Sequence, residues 1–129
     1  MIEFYPPAST GEALAMAVAL ITILFGLLLF FMPRLCLRIL HLQTMPERPD
    51  AIAEARGTMS GFYLGCGLGC ILLAQPMLYV VLGASWAFTA LGRLTAIAVD
   101  RAATPFNLVS VAIEAVLALL PLAYVFGWV

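Results

Sequence analysis

Polar residues along this chain gather in a few short clusters and leave long apolar runs between them. The first run, Ala13–Met32, carries no charge over about twenty residues and ends at Pro33. At about 1.5 Å per residue it is long enough to cross a bilayer core. Ser9 and Thr10 precede it as helix caps, inside a turn-forming segment, Met1–Glu12, that contains Pro6, Pro7 and Gly11. A second apolar pattern runs over Ala51–Ala74, with Glu54 and Arg56 confined to its first turns. The dipeptide Gln75-Pro76 then makes a tight connection into a third run, Met77–Val99. Pro76 suits the first turn of that helix. Asp100-Arg101-Ala102-Ala103-Thr104 forms the next turn, with Thr104 as cap and Pro105 starting a fourth run to Phe126. Trp128 follows as an interface anchor.

Between the first two runs, residues 34–45 read as an interfacial helix. Arg34, Arg38 and His41 recur on one side, and Leu35, Ile39, Leu40 and Leu42 on the other. A segment of that kind lies in the headgroup plane. Pro46 and Pro49 break the chain, and Asp50 is placed to cap the second helix. The expected fold is all-α, a single domain over 1–129: a polytopic four-transmembrane-helix bundle with helices at about 13–32, 51–74, 77–99 and 105–126.

Composition agrees with lipid as the solvent. Of 129 residues, 64% are hydrophobic and 10% charged, where soluble domains carry about 25% charged residues. All six basic residues are arginine, and the formal net charge is −1, so no basic patch offers itself to nucleic acid. Arg34, Arg38, Arg48 and Arg56 lie in or beside the first connection and Arg101 in the third. The positive-inside rule makes those connections cytoplasmic and places both termini outside. Glu3 and Glu12 are the charges ahead of the first run, so the basic start of a cleaved signal peptide is missing.

Two charges fall inside apolar runs, Arg93 in the third and Glu114 in the fourth. Such charges are costly at membrane depth and mark candidate sites. In a hairpin turning near Ala102–Ala103, both lie roughly 15 Å from the turn at a helical rise. Thr89, Ser85 and Asp100 share the stripe of Arg93; Asn107 and Ser110 share that of Glu114. The cluster Arg93, Glu114, Thr89, Ser110, Asn107 and Asp100 is therefore the candidate polar site. It is either a structural ion pair or a binder of a polar head, an ion or a proton.

In the second run, Gly57, Gly61, Gly65 and Gly69 recur every fourth residue. A glycine face lets another backbone approach closely where lipid supplies no hydrophobic drive. It packs either within the bundle or against a second copy or a partner membrane protein. Glu54 and Arg56, two residues apart, point to different sides, one toward the bundle and one, like Arg34 and Arg38, toward the interface. Cys36, Cys66 and Cys70 match no disulfide or zinc spacing. His41 has no companion ligand, so neither a metal nor another cofactor is expected. With His41 in an interfacial segment, no residue set for nucleophilic catalysis forms either.

The stretches Ala53-Glu-Ala-Arg-Gly-Thr-Met-Ser-Gly-Phe-Tyr-Leu-Gly65, Ala74-Gln-Pro76 and Gly83-Ala-Ser-Trp-Ala-Phe-Thr-Ala-Leu-Gly-Arg93, with the late Glu114, resemble small four-helix bacterial membrane proteins. Some of these are named phage infection proteins, and the group is loosely similar to DoxX-like proteins. The resemblance covers nearly the whole chain and implies a bacterial inner-membrane location with a role at the envelope. It brings no catalytic residue. The leading expectation is thus a non-enzymatic inner-membrane accessory protein on which phage infection depends. The alternative is a small-molecule, proton or quinone-linked binder using Arg93 and Glu114.

Overall fold

A computed structural model describes residues 5–129; the first four residues of the turn-forming start lie outside them. Six α-helices follow in chain order: α1 (Thr10–Phe31), α2 (Pro33–Ile39), α3 (Asp50–Glu54), α4 (Ser60–Leu73), α5 (Pro76–Val99) and α6 (Pro105–Val125). Among the described residues there is no strand. Capping matches local chemistry. Ser9 Oγ accepts from the Glu12 amide at 3.1 Å, and Thr104 Oγ1 from the Asn107 amide at 3.2 Å. Pro33, Pro76 and Pro105 occupy first turns, where the amide they lack would have had no partner.

Three helices, α1, α5 and α6, are long and apolar enough to cross a membrane. The stretch from Asp50 to Leu73 differs from the continuous helix expected there. A π turn at Ala55–Met59 joins α3 to α4. Residues five apart diverge around an α-helix, but a wider turn brings them toward one side. Here it lets Ala55 and Ser60, both buried, face inward together. The interfacial helix is also shorter than expected: α2 ends at Ile39, and 40–45 form a reversal. Pro49, rather than Asp50, takes the cap position of α3.

The helices pack in the order α4, α1, α6, α5 around the molecule, while α4 and α5, adjacent in the chain, touch little. They meet near their tight connection, where the Cys70 thiol donates to the Leu78 carbonyl at 3.4 Å. Close approach is made at glycines other than the expected row. A Cβ on Gly26 would come within 2.7 Å of the Leu64 side chain. One on Gly67 would lie 2.9 Å from the Ala19 carbonyl, and one on Gly83 3.0 Å from that of Ala118. Gly57, Gly61, Gly65 and Gly69 face open space, which corrects their expected packing role inside the bundle. The α1–α4 seam uses the opposite side of α4, where Ser60 Oγ donates to the Gly26 carbonyl at 2.9 Å.

The core lies between these seams, around Val18, Ala19, Leu82, Trp86 and Leu117. Outside it, Leu24, Phe62, Phe88 and Val116 are among many exposed apolar side chains, the surface expected of a bundle whose solvent is hydrocarbon.

Candidate functional site

Arg93 and Glu114 meet. Helices α5 and α6 pack along one another as the hairpin count required, and the guanidinium grips the carboxylate side-on. Arg93 Nε donates to Oε1 at 2.9 Å and to Oε2 at 3.1 Å, while Nη2 donates to Oε2 at 2.8 Å. This two-pronged geometry is the strong form of an arginine–carboxylate contact. Nη1 donates to Asn107 Oδ1 at 2.8 Å. The Asn107 amide group is itself oriented, since its Nδ2 donates to the Ala102 carbonyl at 2.9 Å. Glu114 is buried, with 8% of its side chain exposed against 25% for Arg93.

A guanidinium carries five N–H groups. Three are used here, which leaves one on Nη1 and one on Nη2 without a partner among the described residues. The carboxylate cancels the charge, so the pair presents hydrogen-bond donors with little net field.

The pair lies on the wall of a cleft of about 400 Å³ bounded by α1, α2, α4, α5 and α6, with Phe25, Leu29, Trp86, Phe106 and Ile113 among its apolar walls. Thr89 and Ser110 line it too, although Thr89 Oγ1 donates within its own helix to the Ser85 carbonyl at 2.9 Å. Asp100, expected in the cluster, does not join it. It ends α5 at the surface, about 10 Å along the axis from Arg93 at the rise of an α-helix. The expected division of Glu54 and Arg56 also fails: both are exposed, and Ala55 between them turns inward. Arg34 and Arg38 are exposed on α2 as expected.

Met59, Tyr63, Trp86 and Thr89 line both this cleft and a longer groove of about 830 Å³ between α4 and α5. Gly61, Gly65, Cys66 and Ser85 lie along that groove. Of the open glycines, Gly61 and Gly65 are thus part of its wall. At the junction, Phe25, Tyr63 and Trp86 form an aromatic triangle with centroids 5.8–6.3 Å apart. The Trp86 indole is fixed by donating Nε1–H to Thr22 Oγ1 at 3.0 Å. On the α2 side, Phe106 stacks against His41 at 4.1 Å between centroids, and the Arg93 guanidinium carbon lies 6.0 Å from the same ring. Burial pushes the Cys36 thiol of α2 above its usual range, so this cysteine lines the cleft as an inert apolar group.

Phe106, Tyr63 and Trp86 are the site residues that sequence reasoning missed. An aromatic residue in an apolar helix carries no distinguishing signal; the one hint was Phe106 following the helix-starting Pro105, on the turn side of Asn107. Among the described residues no group of His, Cys, Asp and Glu is arranged to hold a metal ion.

Residues 12–125 match the model of a domain of unknown function, DUF4345. The chain belongs to this family. No curated protein and no solved structure matches it.

Proposed function

We propose that this protein is a membrane-embedded binder of a neutral amphiphile. The polar head lies at Arg93, Glu114 and Asn107, and the hydrocarbon tail lies in the α4–α5 groove. The observation that carries this reading is that the two spaces adjoin, sharing Met59, Tyr63, Trp86 and Thr89 as wall residues. A purely structural ion pair has no need of a cleft beside it, whereas ligand sites are apolar hollows with a few convergent polar groups. Charge balance selects the head. An anionic head would meet the Glu114 carboxylate at close range, while a neutral head with carbonyl oxygens meets two unused N–H donors. A quinone is one molecule with that head and an apolar tail.

In the same reading, Asp50–Leu73 is the fourth crossing. Gly57–Leu73 contains no charged residue and spans about 25 Å at the rise of an α-helix. The protein then lies in a bacterial inner membrane with both termini in the periplasm.

Fluorescence tests the binding. In a Trp128→Phe background, Trp86 is the remaining tryptophan and lines both spaces. Decylubiquinone in detergent is expected to quench it saturably. The double change Arg93→Met/Glu114→Leu is expected to weaken binding about tenfold or more, given that a hydrogen bond to a charged group contributes about 1.5–3 kcal/mol. Linear quenching, equal in both proteins, would refute the site.

A second reading draws on the open glycines. Gly57 in the π turn and Gly69 on α4 meet open space, which supports an accessory role beside a partner membrane protein or a second copy. The likeness to phage infection proteins belongs with it. Consistent recovery as an isolated monomer from mild detergent would count against that role.

A further inference from the structure

The reversal after α2 shapes a second hollow, which shares Leu42 with the wall of the cleft. The Leu42 amide donates to the Leu37 carbonyl at 2.8 Å and the His41 amide to the Arg38 carbonyl at 3.1 Å. This is the doubled hydrogen-bond pattern of a Schellman helix end, whose left-handed position usually holds glycine. Here it holds His41, at φ 61°.

The reversal leaves a basin of about 520 Å³ whose polar wall is Arg34, Arg38, His41, Gln43 and Thr44 and whose apolar wall is Leu37, Leu42 and Ile52. No acidic side chain lines it. Arg34 and Arg38 stand one helical turn apart, and neither has an ion-pair partner among the described residues. Arg48, farther along the loop, differs, since its Nε lies 3.5 Å from Asp50. Leu35 and Ile39 on the same short helix are exposed apolar residues, so α2 turns one side to hydrocarbon and the arginine side to the headgroup layer.

We infer that this basin binds a phosphate group, the headgroup of an anionic phospholipid. Two unpaired guanidiniums a turn apart offer forked donors to phosphate oxygens. The Gln43 amide, the Thr44 hydroxyl and the imidazole add uncharged or titratable donors around them. The basin has the opposite preference to the cleft, because nothing in it cancels the arginine charge. His41 is shared architecture, with its edge in the basin and its ring on Phe106.

Native mass spectrometry from neutral detergent tests it, with equimolar phosphatidylglycerol and phosphatidylcholine supplied to the full chain. The expected result is preferential retention of phosphatidylglycerol by about thirtyfold, from roughly 1 kcal/mol for each of the two arginines near an anionic lipid. Arg34→Gln/Arg38→Gln is expected to bring the ratio near parity. The charge-matched change Arg48→Gln/Arg56→Gln should leave most of the preference in place. Parity in the unchanged protein would overturn the inference, as would equal losses in both double variants, the mark of diffuse charge attraction. Sodium phosphate separates the two sources of the group. If millimolar phosphate displaces the lipid, the basin takes free phosphate; if it does not, the lipid headgroup is the ligand. A salt titration of the unmodified protein covers the case of a variant that fails to fold. The preference must fall with ionic strength, and a salt-independent ratio would overturn the site.

Discussion

At the scale of single residues, the ion pair and the glycines make opposite predictions. Arg93→Ala strands the buried Glu114 carboxylate and is expected to cost about 3–5 kcal/mol, measured as a fall in the unfolding midpoint in detergent; Glu114→Ala strands the partly exposed Arg93 and should cost less. Arg93→Met with Glu114→Leu removes both charges together and should recover most of that loss. If the double variant is no more stable than the single ones, the pair is held by contacts beyond its charges. Gly67→Leu forces a side chain into the Ala19 carbonyl and Ile23, for an expected cost of about 1–3 kcal/mol from overpacking. Gly61→Leu enters open space and should melt like the parent. The meeting of Arg93 with Glu114 and Asn107 was legible because a lone charge in an apolar run stands out and helical rise fixes its depth. Which glycine touches a neighbour was not legible, since Gly61, Gly65 and Gly67 look alike in sequence. Only the direction α1 approaches from separates them.

At the scale of elements, the groove exists because α4 and α5 part after their tight connection, so narrowing it tests its use directly. Gly61→Leu/Gly65→Leu should leave the unfolding midpoint near that of the parent and weaken decylubiquinone quenching of Trp86. Unchanged quenching would place the tail elsewhere. The cross-link between α1 and α5 is expected to be structural. Thr22→Val leaves the buried indole N–H of Trp86 without its acceptor, at about 1–3 kcal/mol for an unmet donor, read as a lower melting temperature. The helices themselves were legible from apolar run length, proline and caps. The π turn was not, because nothing in Glu54-Ala-Arg-Gly-Thr-Met59 departs from an ordinary helical pattern. It arises from two small residues five apart, Ala55 and Ser60, both being drawn to the interior.

At the scale of the whole molecule, the arginine placement predicts orientation. Reporter fusions after Val129 should report the periplasm, and insertions near Arg48 the cytoplasm. Cytoplasmic signals both near Arg48 and at Val129 would leave two crossings after Arg48 and would remove Asp50–Leu73 from the bilayer. By itself, the amino-acid sequence determined the helical class, the arginine asymmetry and the spacing of the charge pair from its turn; of the four spans it led us to expect, three are helices long and apolar enough to cross a membrane. Each of these follows from local periodicity and from the cost of charge in hydrocarbon. Tertiary structure alone decided that α1 and α6 fill the center, that the glycine row meets open space with Gly61 and Gly65 on the groove, and that a cleft at the ion pair adjoins that groove. Helices in lipid associate through small residues on whichever side a neighbour happens to approach. A cleft is where two neighbours fail to approach, and no residue pattern within either helix records that.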